Sequence, residues 1–406
     1  MPFRERGRLE ERVSILRDYD TGAFTVSGLC ETYGVSRQTF YTWRERRGSG
    51  AADWFCDRSH APQQVPGRTA AEIVAELVAV RRRFPRFGPK KVKAWLERTQ
   101  PQRAWPAAST IGGLLKAQGL VAPRARRRRA VELGGAETSA PDPHAEWACD
   151  FKGWFRTRDG ERCDPLTITD TASRYLIDVR IAEPSIEGVR PAFEQAFAEH
   201  GLPAAIRCDN GSPFGSSGAG GLTRLSVWWL KLGIAPHFIR PASPQDNGRH
   251  ERMHRTLKAE TAKPPSASLF EQQARFDAFR AHYNAERPHE ALHQETPASR
   301  WTRSPRPMPD RIEEPWYDAD HQVRRVRTAG EIQWRGQLVF IGAALSGETV
   351  GLAEREDGSH IVRFCNLDLG VLHPSGRFLR FAPRRHRLRE APETQTPPKL
   401  SGIIPV

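Results

Sequence analysis

Residues 206–214 read IRCDNGSPF, and residues 234–261 read IAPHFIRPASPQDNGRHERMHRTLKAET. A glycine-rich bend and a helix join the two stretches. Asp209 ends a short apolar run and precedes Asn210-Gly211, a turn dipeptide, so its carboxylate projects from a strand end. Glu251 stands in the first turns of a helix that follows the turn cluster Ser243-Pro244-Gln245-Asp246-Asn247-Gly248. Arg255 and Lys258 lie at i+4 and i+7 from it, on the same helical face. Glu260, nine residues on, falls on the opposite face at about 100° per residue. Upstream, Asp150 sits inside the strand-like WACDFKGWF of Trp147–Phe155, among bulky aromatics.

Among 48 acids, these three combine an acid in a strand, an acid at a strand end and an acid on a basic helix. A lone charge in mid-strand is costly to bury unless something pairs it. Hard divalent cations take oxygen ligands on rigid elements and leave positions open for phosphate and water. The bland alternative is three surface acids, with Asp209 merely capping a turn.

The runs W-x-x-D-F-K-G (147–153), T-x-T-D-x-x-S-R-Y (167–175), R-C-D-N-G-S-P-F (207–214), S-P-Q-D-N-G-R-H-E-R-M-H-R-T-L-K (243–258) and Y-N-x-x-R-P-H-x-x-L (283–292) resemble those of bacterial insertion-sequence transposases with a retroviral-integrase-like DDE core. The resemblance spans about residues 140–302, with a weaker likeness in the amino-terminal helices. It implies an α/β ribonuclease-H-like core with Asp150, Asp209 and Glu251 as catalytic and metal-binding triad. It also implies two Mg²⁺ per site, for which Mn²⁺ can substitute, and double-stranded DNA as partner. Cleavage at the element's ends would be followed by joining of the 3′-hydroxyl to target DNA by a homo-oligomer. The same fold also serves nucleases that cut without joining, and a silent core would leave a DNA-binding relic. The interval from Asp209 to Glu251 is longer than is common in the superfamily. Its extra length falls in Gly215–Gly221 (GSSGAGG), read as a flexible loop.

Composition fits a polyanion partner. Lys and Arg outnumber Asp and Glu by 62 to 48, a net charge of +14, which favours nucleic acid. No apolar run of about 18 residues is present, and the charged amino terminus has no signal-peptide pattern, so no membrane partner is expected. Six scattered cysteines without a C-x-x-C pair argue against zinc or a disulfide framework. They fit reduced thiols in a cytosolic protein; the resemblance implies a bacterial, nucleoid-associated one.

Residues 1–50 read as a helix-turn-helix domain. A first helix near Leu9–Tyr19 has Val13, Leu16 and Tyr19 on one face. Thr25 or Ser27 caps the second, Gly34 allows the turn, and Ser36 caps the third, with Phe40 and Trp43 at helical spacing. Arg37, Gln38, Arg44 and Arg47 point outward, types that reach base edges and phosphates. A helical protein-interaction module is the alternative. Residues 51–68 read as a linker. Residues 69–122 form a second helix-turn-helix-like unit. It has an Ile73, Leu77, Val80 stripe, a basic helix bearing the candidate DNA contacts Lys90 and Lys91, and a third helix capped by Ser109 and ended by Gly119. Residues 123–143, with the run Arg124–Arg129, read as a basic linker that either tracks phosphates or is simply solvated.

The core, residues 144–302, reads as three strands followed by alternating helix and strand. Asp170 leads into a turn with Thr171 and Ser173 and reads as structural. For His237, His250 and His254, phosphate contact or packing is favoured over metal ligation. Tyr283, Asn284 and Arg287-Pro288-His289 are expected to lock a helix near Leu269–Tyr283 onto the core. After a proline-rich linker (303–320), short alternating strands in 321–382 suggest a small all-β SH3-like barrel. Residues 383–406 read as a disordered tail.

Overall fold

The computed structural model describes residues 8–57, 67–121, 142–239 and 248–381. The run Arg124–Arg129, most of Gly134–Pro143, the turn cluster from Ser243 to Asn247 and the tail 383–406 lie outside the described residues. The chain divides into two compact units, Met1–Ala70 and Ala71–Val406.

The first unit holds helices α1 (Arg8–Asp20), α2 (Val26–Tyr33) and α3 (Arg37–Gly48). Thr25, rather than Ser27, is the cap of α2, accepting from Gly28 N; Gly34 ends that helix at φ +64°, and Ser36 accepts from Thr39 N at the start of α3. Each cap satisfies amides that a helix start leaves unpaired. The small core is Ile15, Leu16, Leu29, Cys30 and Phe40, with Trp43 and Trp54 packed on it. Val13, expected inside, is 40% exposed; Ile15 takes its place. Part of the expected linker also folds back: Arg12 donates to Phe55 O at 2.8 Å and pairs with Asp57 at 2.5 Å.

The second unit opens with α4 (Ala71–Arg83), α5 (Pro89–Thr99) and α6 (Ala108–Ala117) around Leu77, Phe87, Val92, Leu96 and Ile111. Ser109 does not cap α6; Ala107 holds the cap position, without a side-chain bond. Gly119, at φ +70°, follows the end of the helix. These helices lie against the α/β domain that follows through a Phe84–His282 stack at 4.8 Å, an Arg83–Glu286 pair at 2.8 Å and an Arg98 bond to Glu286 O at 2.9 Å.

The α/β domain runs β1 (Trp147–Phe151), β2 (Phe155–Arg156), β3 (Arg162–Cys163), β4 (Pro165–Asp170), β5 (Leu176–Ile181), α7 (Ile186–His200), β6 (Ala205–Cys208), α8 (Arg224–Lys231), β7 (Ala235–Phe238), α9 (Gly248–Thr261) and α10 (Leu269–Ala285). Five strands form one sheet in the order β5-β4-β1-β6-β7. The β5–β4–β1 part is antiparallel and the β1–β6–β7 part parallel, the order expected of a ribonuclease-H-like core. One face carries α7 and α8 over Trp147, Ile168, Phe193, Ile206 and Trp229. The other carries α9 and α10 over Leu176, Val179, Met253, Leu257 and Phe276. The edge strand β5 is closed by polar side chains of α10. Asn284, Gln273 and Arg280 bond the backbone of Leu176, Val179, Ile181 and Ile177, which removes a free edge. The strand expected to run from Trp147 to Arg156 is interrupted after Phe151 and resumes as the β2–β3 hairpin.

The proline-rich segment is a strap rather than a free connection. Arg306 bonds the carbonyls of Pro203 and Leu232 at 2.9 Å each, and Met308 and Ile312 pack on the core. Beyond it lie β8 (His321–Arg325), β9 (Glu331–Trp334), β10 (Gln337–Phe340), β11 (Thr349–Glu354), β12 (His360–Phe364), β13 (Leu367–Leu372) and β14 (Phe378–Arg380). The region is all-β, as expected, but among the described residues it is not a closed barrel. Five antiparallel strands form a sheet with β14 and β8 at its edges, and β9–β10 pair separately. The Gly215–Gly221 stretch is a correction as well. Ala219, Gly220 and Gly221 are buried, and Ala219, Leu222, Val227 and Leu230 share one apolar cluster with Val326, Trp334, Val350, Leu367 and Leu369. Lys231–Glu348 at 2.9 Å and Arg380 to Ser217 O at 2.7 Å border it. The extra length is therefore the surface on which the β domain docks.

Candidate active site

Strand register sets two of the three acids side by side. In the parallel pair, Trp147 faces Ile206 and Ala148 faces Arg207; two rungs further the same register sets Asp150 opposite Asp209. Neighbouring strands lie about 4.8 Å apart. Side chains alternate across the sheet, so Cys149 and Cys208 between them turn into the apolar core, where both are buried.

Asp209 stands where β6 gives way to a turn. Asn210 anchors that turn by donating to Ile239 O at 2.8 Å. Burial raises the Asp209 carboxyl, opposed by a bond from Gly211 N–H. Its Oδ1 is buried and has no hydrogen-bond partner among the described residues. An anion kept this way costs free energy unless a cation reaches it.

Glu251 rides on α9, whose pattern divides cleanly. His250, Met253, His254, Leu257 and Thr261 are buried; Glu251, Arg252, Arg255 and Lys258 are exposed. All three acids meet in one electrostatic field. The Asp150 carboxyl is raised to about 7, first by burial and then by the charge of Asp209, with Glu251 adding to it; Phe151 N–H and Lys152 oppose. Crowded carboxylates that hold a proton near neutrality are a site prepared for a cation.

Beneath Asp150 lies a network that sequence reading did not find. Thr167 Oγ1 donates to Asp150 O at 3.0 Å and lies 2.7 Å from Nε2 of both His250 and His254. Thr169 Oγ1 is 3.0 Å from His250 Nδ1. A hydroxyl has one hydrogen. If it goes to the carbonyl, both imidazoles donate from Nε2. His254 Nδ1 is then an acceptor facing Asp150 Oδ2 at 3.9 Å. Two acceptors facing one another again suit a shared cation or proton. Burial pushes His250 down to about 3 and His254 to about 2, so both are neutral. They seat α9 on β4, which assigns them to packing rather than phosphate contact. The signal was available: an i,i+4 histidine pair on the inward face of α9, above the alternating threonines of T-x-T.

Asp170, Glu146, His237 and Glu260 are held in structural contacts. Asp170 accepts from His144 N, Ser173 N and Ser173 Oγ at 2.6–2.9 Å. His237 lies 2.8 Å from Glu146, which also pairs with Arg207 at 2.7 Å. Glu260 pairs with Arg287 at 3.0 Å, on the packed side of α9.

The cations sort into three groups. Lys152 is pushed down by burial and by Lys258, while Asp150 and Glu251 act the other way, so both lysines stand beside the acids; Arg255 is exposed on the same helix. Lys90 and Lys91, expected to meet DNA, lie where helices α4–α6 meet the α/β domain. Lys90 pairs with Glu290 at 2.7 Å. Burial lowers Lys91 to about 8, with Arg287 contributing. In the first unit Gln38 is exposed on α3, Arg37 lies 2.5 Å from Ser27 Oγ, and Arg44 lies over the Tyr19 ring at 5.4 Å.

Residues 140–244 match the family model described as integrase core domain, and residues 232–297 match a second of the same description. The chain is a transposase/integrase enzyme with an integrase core. Residues 6–55 match a homeodomain-like domain model, in keeping with the helix-turn-helix of the first unit. The insertion element IS407 uncharacterized 31.7 kDa protein of Burkholderia multivorans is 26% identical over 230 residues, covering 56% of this chain and 79% of its own length. The insertion element IS476 uncharacterized 39.2 kDa protein of Xanthomonas euvesicatoria is 26% identical over 243 residues, covering 59% and 66%. Among solved structures, the HTLV-2 integrase catalytic core domain in complex with magnesium (dimeric form) is 18% identical, with a TM-score of 0.31, over 39% of this chain and 97% of that one. A simian T-cell lymphotropic virus intasome in complex with PP2A regulatory subunit B56 gamma is 14% identical, with a TM-score of 0.35, over 70% and 91%.

An integrase core implies a divalent metal ion. The orphaned Asp209 Oδ1 and the proton-retaining Asp150 fit one. No helix among the described residues is long and apolar enough to cross a membrane.

Proposed function

We propose that this enzyme cleaves DNA at the ends of an insertion sequence and joins the freed 3′-hydroxyl to target DNA. Asp150, Asp209 and Glu251 would be the catalytic carboxylates, Mg²⁺ their cofactor, and a homo-oligomer on double-stranded DNA the working form, in the bacterial cytoplasm at the nucleoid. The observation that carries the reading is the electrostatic coupling of Asp150 to both Asp209 and Glu251, from three elements, at one end of a parallel strand pair.

Bound divalent metal supplies Lewis-acid polarisation of the phosphodiester and a more acidic water. The residues do the rest. Asp150 and Asp209, held on adjacent strands, fix one side of the site. Glu251 closes it from α9, whose position is set by His250 and His254 on Thr167. Lys152, Lys258 and Arg255 offer positive charge to the phosphates that flank the scissile bond. Hydroxyl attack on phosphorus is in line and needs no protein nucleophile, so positioning and charge carry the catalysis. Arg37, Gln38 and Arg44 would read the element's end.

Strand transfer is the test. Purified protein, a labelled duplex of the element's end, Mg²⁺ and supercoiled target are incubated beside Glu251→Gln. Joined product from the wild type alone supports the reading. Nicking without joining points to a nuclease, and metal-independent binding without cleavage in either protein points to a DNA-binding relic.

A further inference from the structure

The β2–β3 hairpin next to the acids has an outer face that the catalytic reading leaves unused. Side chains alternate along the hairpin. Phe155 pairs with Cys163 and turns inward to the cluster that holds Met253 and Leu257. Arg156 pairs with Arg162 on the outer face. Trp154 lies with them: it is 57% exposed, and its ring centroid is 5.9 Å from the Arg156 guanidinium carbon and 5.3 Å from that of Arg162.

Two features mark this face as built for an anion. Like charges directly opposite on a ladder destabilise it, yet the two arginines occupy the same rung; Asp164, bidentate to Arg162 at 2.7 and 2.8 Å, offsets one of them only. The hairpin is also fixed in place. Its turn is tied to the segment before α10 by Arg158 N to Ser266 O at 3.0 Å and Asp159 N to Ala267 O at 3.1 Å, so the indole is presented on a rigid support. Lys152, beside the acids, precedes it. Cations interleaved with an exposed aromatic ring form the surface on which single-stranded nucleic acid stacks. The ring is close to the chemistry as well: four residues of chain place its Cα within about 14 Å of that of Asp150. That limit is the length of about four nucleotides at roughly 3.4 Å of rise each.

We infer that Trp154 stacks on a nucleobase flanking the scissile phosphate, unpaired from its complement, while Arg156 and Arg162 take the adjoining phosphates. The inference rests on the proposed DNA-cleaving function and adds a contact that distinguishes an opened end from intact duplex.

The test uses the full chain with Ca²⁺ in place of Mg²⁺ and duplexes of the element's end, intact or with one abasic site scanned across the flanking positions. Binding is read by fluorescence anisotropy. Trp154→Ala weakens binding to intact duplex by about 5- to 150-fold, the range for one lost base stack; Trp154→Phe retains most of it. At one abasic position the wild type weakens and Trp154→Ala causes no further loss. Arg156→Ala/Arg162→Ala lowers the slope of log affinity against log salt by about 2. Trp154→Ala binding as tightly as wild type, or losing the same factor on every abasic duplex, overturns the inference while leaving the catalytic reading intact. Wild type that binds none of the duplexes sinks the proposed function and this inference together.

Discussion

The side-chain amide of Asn284 closes both backbone groups of Leu176, accepting from its N–H at 2.8 Å and donating to its carbonyl at 2.9 Å. With Gln273 and Arg280, this residue of α10 stands in for the strand that β5 lacks at its edge. Both partners are buried, so Asn284→Ala leaves an unpaired donor and acceptor and costs about 1–3 kcal/mol for each. Urea denaturation measures it. Asn284→Asp sets a buried carboxylate oxygen against the Leu176 carbonyl and costs at least as much as alanine. An alanine variant within 0.5 kcal/mol of wild type, the range of a neutral surface change, would show that water replaces the amide.

Asp209 gives a prediction with opposite signs in two buffers. Without metal, one oxygen of its carboxylate is buried without a partner among the described residues, and its charge raises Asp150. Asp209→Asn therefore raises the melting temperature in chelator, by about 2–4 °C for each kcal/mol of repulsion removed. With Mg²⁺ or Mn²⁺ the order reverses. Wild type gains about 2.7 kcal/mol at a hundredfold excess over its dissociation constant, and the variant gains little. Equal metal-induced shifts in both proteins would remove Asp209 from the ligand set.

His289 predicts acid lability. Burial pushes its imidazole down to about 3, with Lys91 and Arg287 adding to the shift. The unfolded chain then binds more protons than the folded one between about 6.5 and 3, and stability falls as pH falls through that window. His289→Phe, which fills the space beside the Tyr283 ring at 4.8 Å, flattens the lower part of the profile. Melting temperatures from pH 4 to 8 check this; parallel curves for the two proteins would refute it.

Docking of the β domain predicts the cost of a side chain at Gly220. That residue has φ +62°, and a Cβ there would lie 3.4 Å from Leu369 Cδ2 and 3.5 Å from Leu367 Cδ2. Gly220→Val forces a branched residue into the left-handed region and against these leucines, at about 1–3 kcal/mol. Hydrogen exchange then rises at Ala219–Leu230 and Leu367–Leu369 together. Ser217→Ala keeps the carbonyl that Arg380 uses and leaves exchange unchanged. Rapid exchange at these segments in the wild type would show that the two domains do not dock in solution.

The sequence by itself determined most of the elements and where on them the three candidate acids stand. Asp209 before Asn210-Gly211, Glu251 on a helix with Arg255 and Lys258, and Asp150 in an aromatic strand were legible because each depends on local chemistry and period. So were Gly34 and Ser36 at the helix ends, the structural Asp170 turn, and the role of Asn284 in locking α10; the choice of Thr25 over Ser27 as a cap was left to the tertiary structure. Tertiary structure decided what depends on partners distant in the chain. It turned Val13 out and Ile15 in, because amphipathic faces are fixed by the helices they meet. It converted Gly215–Gly221 from a free loop into a docking surface, since glycine permits close approach as readily as flexibility. It took Lys90 into a pair with Glu290, left the β strands as an open sheet, and brought Thr167, His250 and His254 beneath Asp150. Composition constrains which residues meet water or phosphate only on average; the surfaces that other elements cover decide each case.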